Sequence, residues 1–224
     1  MCDRYALPDQ KAAEREFLPA MAWWKFTEKF NVAAQQYVPV VRMHDGQSEG
    51  MMMRWGLIPS WAEGEPTGEP TACAEIGRIE RSNVYRTPWL SGQRCILPTS
   101  GFYAWQLTSE NYRQPYFVRL INRSVFGFAA VWDRSVGEDD DVIESCSIIR
   151  VPANGLLTEI GNPDGRMPAI LRRRDYETWL KGTPVQAKAA LQPYNAAWMQ
   201  AHAVSPRINS TEPDDAGLIA PVAI

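Results

Sequence analysis

Cys2 is the residue best placed to do covalent chemistry. Removal of Met1 would make Cys2 the N-terminus and leave a free α-amine beside its thiol. An α-amine has a pKa of about 8, so part of it is neutral at physiological pH and can form an imine with an aldehyde. The thiolate, from a thiol of pKa about 8.5, can then close a five-membered ring on the imine carbon. Cys73, Cys95 and Cys146 cannot do this, because an internal cysteine has its nitrogen in an amide. No C-x-x-C pair occurs, which argues against a zinc ribbon or a dithiol redox motif. Cys95 and Cys146 lie in apolar runs and read as small buried hydrophobes. His44 and His202 are too few for a histidine-rich metal site. His44 sits beside a hairpin-turn signal, Asp45-Gly46, and His202 reads as structural. No cofactor or metal is implied.

The elements that must position Cys2 come from a chain of 224 residues with net charge −3, 45% hydrophobic and 22% charged. That is ordinary globular usage, long enough to bury a core, and it excludes wholesale disorder, collagen and coiled coil. No apolar run approaches the roughly 18 residues of a membrane span, and the charged N-terminus is no signal peptide. A soluble cytoplasmic protein is expected. The charge argues against a generally basic nucleic-acid binder but leaves room for a local patch. The 18 Arg against 5 Lys point only weakly to phosphate recognition, since a G+C-rich genome gives the same bias.

Gln10 to Phe30 has helix-favouring composition broken by Pro19. Tyr37–Met43 and Met51–Trp55 flank the Asp45-Gly46 turn as a hairpin. Glu63 to Pro70 is a loop. Arg94–Gln106, Tyr116–Ile121, Val125–Trp132 and Val142–Val151 read as strands. Asp175 would cap a helix from Tyr176 to Lys181 that Gly182 ends, and a second helix runs from Val185 to Leu191. Arg172 to Arg174 read as a solvated run, and Trp55 and Trp105 as core. Many short strands with few helices predict one α+β domain over residues 1–224, with a mixed, mostly antiparallel barrel-like β core and short peripheral helices.

Several clusters recur in order along nearly the whole chain: Met1-Cys2-x-Arg4-Tyr5, Phe30-Asn31-Val32-Ala33, and Arg54-Trp55-Gly56-Leu57-Ile58-Pro59-x-Trp61. Arg94-Cys95-Ile96-Leu97-Pro98 follows, with Gly101-Phe102-Tyr103-x-Trp105, Phe128 to Trp132, Arg166-Met167-Pro168-Ala169-Ile170-Leu171 and Val204-Ser205 after it. Together they resemble the SOS response-associated peptidase family, the abasic-site processing proteins. The resemblance implies a groove for single-stranded DNA and loss of Met1 by self-processing. It also implies attack of the freed Cys2 on the open-chain aldehyde of an abasic site, giving a thiazolidine crosslink. Arg4, Trp61 and Arg166 match positions lining the family's DNA groove, where arginine holds phosphates and tryptophan stacks on a base.

The sequence departs from the family where protons are moved. The family's active-site asparagine is Thr71 here, its glutamate is Ala104 and its histidine is Gly161. The residue after Cys2, usually glycine, is Asp3, and a threonine-rich strand end is Arg150-Val151-Pro152. Thr71, Glu75 and Asp3 are candidate substitutes. A positioned acid or base contributes roughly 10²–10⁴ in rate, so weakened crosslinking is expected. Two other readings stay open: a non-enzymatic relative that binds single-stranded or damaged DNA, and a thiol peptidase acting on other proteins.

Overall fold

A computed structural model of the chain describes residues 4–108 and 112–223. Their strands are β1 (Arg4–Leu7), β2 (Met21–Ala22), β3 (Lys29–Ala33), β4 (Tyr37–His44), β5 (Gln47–Trp55), β6 (Cys73–Glu75) and β7 (Arg94–Thr99). There follow β8 (Gly101–Leu107), β9 (Arg113–Leu120), β10 (Phe126–Val136), β11 (Val142–Pro152), β12 (Arg166–Pro168), β13 (Ile170–Leu171) and β14 (Met199–Ala203). The helices are short: α1 (Gln10–Phe17), α2 (Arg86–Leu90), α3 (Gly155–Ile160), α4 (Tyr176–Lys181) and α5 (Pro184–Ala190).

The expected hairpin is β4–β5. Asp45 (φ +48°) and Gly46 (φ +80°) are both left-handed, the pair of conformations that matches the twist of two adjoining strands. β4 also pairs antiparallel with β7, β7 with β10, and β10 with β11. A parallel pairing of β11 with β5, Ser145 opposite Arg54 and Cys146 opposite Trp55, then closes a five-stranded mixed barrel. Closure removes the open edges that a flat sheet would leave. Side chains fill a barrel this small, and Met53, Trp55, Cys95, Leu97, Phe128, Cys146 and Ile148 are all buried. A second, antiparallel sheet runs β14-β9-β8-β1-β3. β6 and β12 flank β11, β13 pairs with β10, and β2 with β5. The α+β, mostly antiparallel, barrel-like architecture is the one the strand count predicted. Among the described residues no helix is long and apolar enough to cross a membrane.

Three expectations are corrected. The Gln10–Phe30 stretch is helical only as α1, which Asp9 caps by accepting from the Ala12 amide at 3.0 Å. Leu18, left-handed at φ +45°, ends it, and pairing of β2 with β5 and of β3 with β1 overrides composition beyond Pro19. Arg94–Gln106 is two strands in different sheets. The corner at Ser100 is held by Thr99 Oγ1, which donates to the Ala6 carbonyl at 3.0 Å. Gly101 follows because a Cβ there would lie 2.2 Å from Phe117 Cζ. Asp175 does not cap α4 with its side chain, because its carboxylate accepts from Arg172 Nε at 2.6 Å. Gly182 does end α4, and Thr183 and Gln186 form a capping box on α5.

Candidate functional site

Cys2 and Asp3 lie outside the described residues. The site is built from Arg4, at the start of β1. Its Nη1 donates to Asn31 Oδ1 at 2.7 Å, and Asn31 is itself fixed through donation to the Ser210 and Pro213 carbonyls. Arg4 lines a cavity of about 410 Å³ together with Trp105, Arg113, Asn162, Asp164 and Asn209. Trp105, expected in the core, is half-buried in this wall and donates to Asn209 Oδ1 at 2.8 Å. The correction has a simple cause: an indole needs a partner for its N–H, and here the partner sits at the cavity rim.

A second cavity of about 500 Å³ is lined by Thr71, Cys73, Glu75, Arg78, Arg81 and Tyr85. Burial pushes the Tyr85 phenol up to about 12, so it stays a neutral donor, and it donates to the Cys73 carbonyl at 3.2 Å. Arg150, on β11, joins the two cavities. Its Nη1 donates to Asp164 Oδ2 at 2.7 Å and its Nη2 to Glu75 Oε1 at 3.2 Å. Arg166 Nη2 lies 3.8 Å from Glu75 Oε2. The parallel register that sets Arg150 opposite Glu75 makes the pairing a consequence of strand alignment.

The expected site residues therefore divide. Arg4 belongs to the first cavity. Thr71 and Glu75 belong to the second, with Arg166 against Glu75. Trp61 stands apart in a 3₁₀ turn (Ser60–Ala62), 58% exposed. Its indole N–H donates to the Asn83 carbonyl, next to Ser82 and Val84 of the second cavity's rim. Ala104 is buried on β8, and Gly161 is the left-handed residue (φ +76°) that ends α3. A Cβ on Gly161 would sit 3.9 Å from Gln106, two residues from Ala104 on the same face of β8. The two altered positions are thus neighbours, and neither carries a group that titrates.

Sequence reasoning missed Arg150, Arg113 and Asp164 as site residues. Arg150 had a readable signal: it is one charge in the apolar run from Cys146 to Val151, and a cation there needs a partner. Asp164 had none, since an aspartate between Pro163 and Gly165 looks like any turn residue. His44 is exposed beside Asp45, and His202 Nε2 contacts the Ile219 carbonyl at 2.8 Å. Neither lines the two cavities. Cys95 and Cys146 are fully buried, and burial pushes the Cys95 thiol up, with Cys146 adding to the effect. Among the described residues no group of His, Cys, Asp and Glu is placed to hold a metal ion.

A small closed barrel, flanked by a sheet whose β1 opens on an arginine-walled cavity, is the class that fold and site define. The chain belongs to the SOS response associated peptidase (SRAP) family, whose profile matches residues 1–211. It is 31% identical over 208 residues to the abasic site processing protein YoqW of Bacillus subtilis, covering 91% of this chain and 89% of that one. It is 28% identical to the abasic site processing protein HMCES of Mus musculus, covering 88% of this chain and 66% of that one. Crystal structures of proteins from Bacteroides thetaiotaomicron (TM-score 0.87, 24% identity) and Bordetella bronchiseptica (TM-score 0.79, 22% identity) share its fold. The first match covers 99% of this chain and 100% of that one; the second covers 91% and 100%.

Proposed function

We propose that the protein binds single-stranded DNA carrying an abasic site and forms a thiazolidine through Cys2 once Met1 has been removed. The observation that carries this reading is the place of Arg4 on the wall of the 410 Å³ cavity. Two peptide units separate Cys2 from Arg4, a span of at most about 7 Å, and the reading requires the N-terminal amine and thiol to act within that span of Arg4. The amine condenses with the aldehyde and releases one water. The sulfur then adds to the same carbon and the ring closes. Arg4, Arg113 and Arg166 supply cations for the phosphates around the lesion, and the exposed Trp61 indole offers a face for an unpaired base. Removal of Met1 is the cysteine-dependent peptidase step of this reading. The protein would work in the cytoplasm, on the nucleoid when DNA is damaged.

A second reading, a non-crosslinking binder of single-stranded or damaged DNA, is favoured by Ala104 and Gly161. A thiol peptidase acting on other proteins has least support, because His202 is engaged with Ile219 away from both cavities.

The test mixes wild type and Cys2→Ala with an oligonucleotide carrying one abasic site and resolves the products on a denaturing gel. A heat-stable adduct with wild type alone is expected. An adduct that persists in Cys2→Ala removes Cys2 from the mechanism. Native binding without any adduct selects the non-crosslinking reading.

A further inference from the structure

We propose that Asn31 is a positioning residue of the DNA site, which orients the Arg4 guanidinium before DNA arrives; this rests on the reading that Arg4 meets a DNA phosphate. The strand register brings the two residues together. Arg4 on β1 lies opposite Ala33 on β3, and Asn31 is two residues from Ala33 on the same face. A long side chain reaches such a diagonal neighbour, and the side chain opposite Arg4 is only a methyl. Asn31 is 2% exposed. An amide side chain has one oxygen that accepts and two N–H groups that donate, and here all are used. Oδ1 accepts from Arg4 Nη1 at 2.7 Å, while Nδ2 donates to the Ser210 carbonyl at 2.9 Å and the Pro213 carbonyl at 2.8 Å. The backbone amide of Asn31 donates to Asp214 Oδ1 at 3.1 Å, and that oxygen also accepts from the Phe30 amide at 2.6 Å. Residues 210–214 thus anchor Asn31 from its side chain and from its backbone.

The anchoring fixes which end of the amide faces Arg4. A flipped amide would turn its oxygen toward two carbonyls and its N–H groups toward a guanidinium, so the acceptor is held on the Arg4 side. The Ser210 carbonyl adds a second, longer contact to Arg4 Nη1 at 3.4 Å. Both acceptors are neutral oxygens. They orient the guanidinium without cancelling its charge, as a carboxylate at position 31 would. A long side chain that is already ordered spares the complex the entropy of ordering it, and this is the contribution of Asn31 to affinity.

The experiment measures binding of a fluorescent single-stranded oligonucleotide carrying a tetrahydrofuran analogue of the abasic site. The analogue keeps the phosphates and has no aldehyde, so no result depends on Cys2. Wild type, Arg4→Ala, Asn31→Ala and the double variant form a cycle. Arg4→Ala should weaken binding about 10–100-fold, the loss of one charge-assisted contact. Asn31→Ala should weaken it about fivefold, the cost of ordering one long side chain on binding. The double variant should bind as Arg4→Ala alone does, because Asn31 acts through Arg4. Wild-type affinity in Asn31→Ala overturns the inference. So does a loss that multiplies in full with that of Arg4→Ala, since that marks a structural role only. If Asn31→Ala does not fold, ¹⁵N spectra of wild type without DNA decide. The Arg4 guanidinium, identified by its absence in Arg4→Lys, should show separate Nη signals from hindered rotation, and one averaged signal overturns the inference. If Arg4→Ala binds as wild type does, the reading that Arg4 meets a phosphate fails and the inference with it; that result is read from Arg4→Ala alone and is distinct from any result on Asn31.

Discussion

Arg150→Met tests whether the two cavities share one electrostatic frame. Methionine keeps the buried stem and removes the guanidinium, leaving Asp164 and Glu75 without their common cation. The Arg150 side chain is 16% exposed, against 24% for Asp164 and 29% for Glu75. A hydrogen bond to a charged group contributes about 1.5–3 kcal/mol when buried. A fully exposed ion pair contributes about 0–1 kcal/mol. These partly exposed pairs fall between, at about 1–1.5 kcal/mol each, which makes the substitution cost about 2–3 kcal/mol. For a chain of this length, each kcal/mol moves Tm by roughly 2–4 °C, so a drop of about 4–12 °C is expected. Urea unfolding of wild type, Arg150→Met, Asp164→Asn and the double variant measures both the cost and the coupling. A coupling of about 1 kcal/mol between the two sites is predicted. Single-variant costs below about 0.5 kcal/mol, or strict additivity, would refute the frame.

Three further outcomes follow from the structure. Arg4→Ala and Arg166→Ala should each weaken binding to single-stranded DNA and reduce the slope of log K against log salt by about 0.7, the value for one lost phosphate contact; salt titration of binding checks it, and unchanged slopes would remove both from the groove. Gly101→Ala should destabilise by about 1–3 kcal/mol, because its methyl would press on Phe117 and open the corner between β7 and β8; denaturant unfolding at the wild-type midpoint would contradict this. Burial holds the phenols of Tyr5, Tyr85, Tyr103 and Tyr176 above their ordinary range, Tyr85 at about 12. Their neutral form belongs to the folded state, so the stability they confer is complete below about pH 10 and is lost as pH rises through the folded values. Ultraviolet titration at pH 11 should show these phenols still protonated in the native protein and ionised after unfolding.

Where local pattern and tertiary structure agreed, the fold was readable. Asp45-Gly46 between two apolar runs specifies a hairpin by turn geometry alone, and β4–β5 forms there. The long apolar segments β10 and β11 lie in the closed barrel, where both faces meet side chains. Local composition misled between Met21 and Phe30, because a short strand is stabilised by the neighbour it pairs with, and that neighbour is distant in sequence. The same holds for the corner at Ser100: the contact that demands Gly101 comes from Phe117 on β9. The charged site was the least legible part. Arg4 and Arg166 could be placed only by resemblance. The bridge from Arg150 to both Glu75 and Asp164 depends on the register of β6 against β11 and on the path of a loop, which no periodicity encodes. Trp105 shows the ambiguity of an aromatic residue, which looks like core by type and lines a cavity by position.

Intact-mass spectrometry of the purified protein, alone and after mixing with a single-stranded oligonucleotide carrying one abasic site, tests the central claim most directly. The account predicts a protein lighter by Met1 and an adduct equal to protein plus oligonucleotide less one water. A chain that keeps Met1 and gains no mass would contradict it.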